Sequence, residues 1–230
     1  MSIENGTIAS ATVDTKNWYR LGGVAAVVLG AAYIVIVPLY AHVGAPPNTA
    51  EAWFKYLPGK TTVWWIILGL SVLTDFLFVP VAFALYLALK AINKNVMLMA
   101  TAFVGLFVVL DLAVTWSHIG SILVLYGNYA QAVDDVQRAG YLAAANYASA
   151  ILTSRLEVVF AIVTLSFGIL LTSCVMLRGV FNRTTAYLGL ATGILGILAM
   201  TGVAAIIIMN ALFATAWILF VGYKLYRLGQ

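Results

Sequence analysis

Apolar residues in this chain run on far longer than the alternation of a strand or the one-sided stripe of a soluble helix. Such runs cover residues 21–41, 62–89, 96–126 and 151–177, and residues 184–223 contain no charged residue at all. About 20 consecutive apolar residues suffice for a helix to cross a bilayer. The last run therefore has to fold back once, and Thr201-Gly202 is its best break. The pattern predicts an all-α, polytopic transmembrane bundle of six spanning helices, over residues 21–41, 62–89, 96–126, 151–177, 185–200 and 203–225.

Polar stretches mark the connections. Residues 1–20 form a polar N-terminal segment, and residues 21–227 form the transmembrane domain. The start of the chain lacks the basic opening and short apolar core of a signal peptide. In the first connection, Asn48 followed by Glu51 reads as a capping box opening a short interfacial helix with Trp53, Phe54 and Tyr56, closed by Pro58-Gly59. In the third, residues 127–150 carry Asp134, Asp135 and Arg138 among many Ala and Tyr. That stretch is too polar to span and too regular for a plain loop. Val133, Val136, Gly140, Ala144 and Tyr147 share a face there, which predicts a second surface helix.

Composition agrees with the pattern. Of 230 residues, 63% are hydrophobic and 9% charged, and mean hydropathy is +1.02, whereas a soluble domain carries about 25% charged residues. A water-exposed surface cannot be built from this set. The net charge of +4 does not mark a nucleic-acid partner, because the basic residues sit at helix ends. The bilayer is the partner that composition implies. Cys174 is the single cysteine, so no intrachain disulfide forms.

The distribution of Lys and Arg sets the expected orientation. With the N-terminus in the cytoplasm, eight basic residues (Lys16, Arg20, Lys90, Lys94, Arg178, Arg183, Lys224 and Arg227) fall inside, against Lys55, Lys60 and Arg138 outside. This is the positive-inside bias. It predicts a multi-pass cell-membrane protein with both termini cytoplasmic. Tyr40, Trp53, Trp64, Trp65 and Tyr126 would then line the outer interface, and Trp18, Tyr19, Tyr223 and Tyr226 the inner one.

A few residues break the apolar pattern at depth. Asp111, Thr115 and His118 follow i, i+4, i+7 spacing and form one stripe on an α-helix. Asp75 lies roughly 20 Å below the outer end of its helix at 1.5 Å per residue, near the expected level of Asp111. Arg155 and Glu157 open the fourth spanning helix, where Glu157, Ala161, Thr164 and Gly168 make a small and polar stripe. An acid at the bilayer centre costs about 2.5–3.5 kcal/mol on insertion scales and marks function or a buried partner. Asp75, Asp111, Thr115, His118, Arg155 and Glu157 are therefore the candidate ligand-binding residues, around a pocket opening outward among the first four helices. Arg155 is expected to face Asp111 or Asp75 and offset its charge, or else these aspartates are held protonated by desolvation.

Recognised catalytic motifs, among them H-E-x-x-H, G-x-S-x-G and the Walker lysine loop, are absent. No cofactor is predicted. A haem held by His42 and His118, or a metal held by His118, Asp111 and Glu157, are the alternatives the residue types allow. Gly189 and Gly193 form a small-xxx-small packing pair.

Two turns carry a family resemblance. Leu89-Lys90-Ala91-Ile92-Asn93-Lys94, and Arg178-Gly179-Val180-Phe181-Asn182-Arg183 leading into Ala186-Tyr187-Leu188-Gly189, resemble the turns of a six-helix prokaryotic membrane family, domain-of-unknown-function family 4386. The second turn has Phe181-Asn182 where that family usually has Leu-Pro. The resemblance implies six helices and brings no site residues or activity. Three functions fit the chain: a protein binding, or binding and moving, a small or amphipathic ligand through an outward polar pocket; an intramembrane lipid-modifying enzyme using Asp111, His118 and Glu157; or an accessory subunit whose Gly189 and Gly193 mark a contact face. A small-molecule or lipid ligand is the expected partner, with homo-oligomerisation open.

Overall fold

The computed structural model describes residues 14–230, so the first 13 residues of the polar N-terminal segment lie outside the described residues. All regular structure among the described residues is helical. Five helices are long and apolar enough to cross a membrane: Asp14–Val43, Thr61–Gln131, Arg155–Met176, Arg183–Thr201 and Ala204–Leu228. The first belongs to α1 (Ser2–Val43), and a short α2 (Ala50–Tyr56) follows it. The cap of α2 is Thr49, whose side chain accepts from Ala52 N, one residue beyond the Asn48 read from the capping-box pattern.

The second helix is 71 residues long, about 105 Å if straight, more than any bilayer. It is not straight. Within α3 (Thr61–Leu110), Asn93 leaves the helical region at φ −153°, ψ 94°. Its Oδ1 accepts from Val96 N at 3.1 Å, capping the helix that restarts there. The two halves fold back on each other, with the Phe78 and Phe107 rings 5.5 Å apart. A π-helical turn over Asp111–Trp116 then leads into α4 (Ser117–Gln131). The expected surface helix is α5 (Asp135–Leu152), capped by Asp134. The predicted fourth spanning helix is interrupted twice. Thr153 and Ser154 break it, a four-residue α6 (Arg155–Val158) restarts it, and a π turn over Val159–Val163 precedes α7 (Thr164–Met176).

After α8 (Arg183–Leu198), a 3₁₀ turn ends at Gly202 with φ +73° and α9 (Ala204–Leu228) begins, so the long final run breaks where its Thr-Gly pair predicts. Only glycine takes that left-handed conformation without strain. α1 packs on α3 and α9, α3 on α7, α7 on α8, and α8 on α9, closing a ring. Arg20 Nε donates to the Gly229 carbonyl at 2.7 Å, so the start of α1 and the end of α9 share one end of the bundle.

Two hydrophobic cores fill the bundle. One gathers side chains such as Leu29, Phe78, Phe107, Met176, Trp217 and Leu225. The other lies under α2 and α5 and contains Trp53, Phe54, Trp64, Ile67, Ile119 and Ile122. Trp53 and Trp64, expected in an interfacial belt, are instead 2% and 0% exposed. Their rings meet at 5.2 Å, because α2 folds over the end of α3 and encloses them. The face of α5 carrying Val136, Gly140, Ala144 and Tyr147 is exposed, as is Val133 just before the helix. Gly189 and Gly193 serve contacts within the chain and not an outer face. A Cβ on Gly189 would stand 2.0 Å from Ser173 Oγ, and one on Gly193 2.8 Å from Leu170 Cβ.

Candidate functional site

A polar layer lies between the two cores. α3 delivers Ser71, Thr74 and Asp75 to it, the first π turn Asp111, Thr115 and Trp116, and α6 Glu157. Asp75 and Asp111 are buried, their carboxyls are neighbours, and Trp116 lies against both. Trp116 Nε1 donates to Asp111 Oδ2 at 3.0 Å, and Thr115 Oγ1 donates to Glu157 Oε1 at 3.0 Å. Ser154 Oγ accepts from Glu157 N at 3.2 Å and fixes the turn that presents Glu157. Two tyrosines of α1 complete the layer: Tyr33 lies near Asp75, Asp111 and Thr74, and Tyr40 near Asp111 and Glu157.

The donors do not match the acceptors. Asp75 Oδ2 and Asp111 Oδ1 are buried and receive no N–H or hydroxyl donor; the two carboxyls lie within hydrogen-bonding reach of each other, so a proton shared between them bridges the pair. No basic side chain compensates. Among the described residues the sole ion pair is Arg138–Asp135 at 3.4 Å, on exposed α5. Arg155 is exposed and does not pair with Asp111 or Asp75 as expected. It sits in the first turn of α6, next to the cap residue Ser154.

Asp75, Asp111, Thr115 and Glu157 come together as the spacing predicts, and His118 does not join them. A π turn takes up one extra residue, which rotates everything beyond it by about 100° relative to a continuous α-helix. Asp111 and Thr115 lie within that turn, but His118 lies beyond it. His118 Nδ1 instead meets the Val114 carbonyl at 2.5 Å, and its ring sits 6.0 Å from Tyr147 of α5. The metal alternative built on His118, Asp111 and Glu157 thus has no assembled donor set, and among the described residues no three His, Cys, Asp or Glu side chains converge on one point. His42, its partner in the haem alternative, is exposed at the end of α1.

Tyr33 and Trp116 are additions that residue spacing did not single out. Tyr33 and Tyr40 are the only hydroxyl-bearing residues in the apolar part of α1 and stand seven apart, on one helical face. Ser154-Arg155-Leu156-Glu157 is itself a capping-box pattern, and it marks the helix break that positions Glu157.

Two cavities lie elsewhere. One of about 10 Å³ sits between Phe78, Val104 and Gly168, and one of about 680 Å³ opens beside the end of α9. Neither is lined by the carboxyls. No family model, curated protein or solved structure matches this chain.

Proposed function

We propose that this chain is a six-crossing cell-membrane protein, both termini cytoplasmic, that binds a small or amphipathic ligand through a positively charged group at an outward-facing acidic site. The fold-back of α3 at Asn93 supports six crossings, because it divides the 71-residue helix into two lengths that each suit a bilayer. The shared end of α1 and α9 supports termini on one side, and the basic bias assigns that side to the cytoplasm. The polar layer then falls in the outer half. Six crossings also accord with the resemblance to domain-of-unknown-function family 4386.

One observation carries the ligand's charge: Asp75 and Asp111 are adjacent and buried, each with an oxygen that receives no N–H or hydroxyl donor, and among the described residues no cation pairs with them. Two carboxyls in contact at low dielectric are compatible with a positive charge between them, a proton or a cationic group. The other buried polar atoms without a partner, Trp53 Nε1, Ser149 Oγ, Ser173 Oγ and Trp217 Nε1, are uncharged, whereas these two belong to acids. Tyr33, Tyr40 and Trp116 add ring faces suited to an ammonium group.

Isothermal titration of the purified chain with methylammonium, tetramethylammonium and hexyltrimethylammonium tests this. Binding that weakens at least about tenfold in Asp75→Asn/Asp111→Asn, the cost of one charge-assisted contact, is expected. Absence of binding across the series, or equal binding by the double variant, refutes the reading.

A further inference from the structure

The opposite end of the bundle carries a second site of reversed polarity. The turn after α7, the first turn of α8 and the end of α9 enclose the groove of about 680 Å³, within the range of small-molecule sites. Its polar lining is almost entirely donors. Asn182 caps α8, and its Oδ1 accepts from Thr185 N at 2.8 Å and Thr185 Oγ1 at 2.6 Å. That geometry leaves the amide nitrogen as the free end of the side chain. Lys224 and Arg227 stand one turn apart on α9 and also line the groove. Arg227 spends one donor on Tyr223 Oη at 3.2 Å and stacks over that ring at 5.8 Å, which holds the guanidinium in place. Among the described residues no carboxylate lines the groove.

This donor set selects an anion, and the walls select an amphipathic one. Val180 and Phe220 are lining residues that are 48% and 45% exposed. They continue onto the apolar outer face of α9, where Ile208 and Leu212 are exposed as well. A free phosphate uses only the donors, whereas a phospholipid uses donors and walls together. A zwitterionic headgroup brings an ammonium into a lining that already holds two cations.

We propose that this groove seats the headgroup of an anionic glycerophospholipid of the surrounding bilayer, its phosphate on Asn182, Lys224 and Arg227 and its first methylenes along Val180 and Phe220. The site is independent of the acidic layer and stands whether or not that layer binds a cation.

Native mass spectrometry of the full chain, released from an equimolar mixture of phosphatidylglycerol and phosphatidylcholine, reads the preference directly. Phosphatidylglycerol is retained selectively, and the selectivity falls roughly fivefold for each basic residue removed in Lys224→Gln and Arg227→Gln. Asn182→Asp keeps a good helix cap but turns a donor into an anion, and lowers selectivity too. Lys90→Gln/Lys94→Gln, exposed at the same end but outside the groove, leaves it unchanged. Melting temperatures confirm that each variant folds. The proposal is overturned if the groove variants keep full selectivity, if the Lys90/Lys94 variant loses as much, or if excess inorganic phosphate displaces the bound lipid.

Discussion

The two sides of the helical ring are built by opposite means. Where α7, α8 and α9 meet, the helices come so close that glycine is required. A Cβ on Gly196 would stand 1.8 Å from Ser166 Oγ, and one on Gly189 2.5 Å from Trp217 Nε1. Polar groups there are uncharged: Asn210 Nδ2 donates to the Thr192 carbonyl at 2.8 Å, while Ser173 Oγ and Trp217 Nε1 are buried without a partner. Where α3, α4 and α6 meet, both π turns occur, and all three buried or half-buried acids lie beside them. In hydrocarbon, helices associate through close packing of small residues and need no ionisable groups for it. On the reading proposed above, the acids of the irregular side are surplus to assembly, and a bound positive charge offsets their cost of insertion.

That contrast can be broken by substitution. Gly196→Leu forces a branched side chain into Ser166 and is expected to destabilise by about 3 kcal/mol or more, read as lost monodispersity and a lowered melting temperature. On the irregular side, Asp75→Asn supplies an amide donor to Asp111, so cation binding falls at least about tenfold while stability holds or rises by about 1 kcal/mol. If Asp75→Asn instead destabilises as severely as Gly196→Leu, the acids are structural and the contrast fails. Thr115→Val removes the donor to Glu157 and is expected to cost about 1 kcal/mol, with a small loss of binding. Arg155→Gln changes an exposed residue without an ion pair, so its effect on stability stays within about 0.5 kcal/mol and binding is unchanged. A large effect there would restore the pairing of Arg155 with the aspartates.

Much of the helical layout is written in run lengths and breakers. Thr201-Gly202 ends one helix and starts the next because glycine alone accepts φ +73° there, and Pro58-Gly59 closes α2 with Gly59 at φ +74°. The convergence of Asp75 and Asp111 was legible as well, from two acids at matching depth. The π turns were not. They leave no compositional mark, yet one of them separates His118 from Asp111 despite a spacing that aligns the two on any uninterrupted α-helix. Burial of Trp53 and Trp64 escaped for a related reason: interfacial tryptophans and tryptophans under a folded-over helix look alike in one dimension. Ser154-x-x-Glu157 was a readable break that the apolar run around it obscured.

The central claim is that the positive charge demanded by Asp75 and Asp111 comes from outside the chain. The most direct test is to add tetramethylammonium to the purified protein in weakly buffered solution and follow the pH. A cation entering between the two carboxyls displaces the proton that otherwise balances them, so the solution acidifies on binding in the wild type and stays constant in Asp75→Asn/Asp111→Asn. Binding that releases no proton, or releases the same amount from the double variant, contradicts the account.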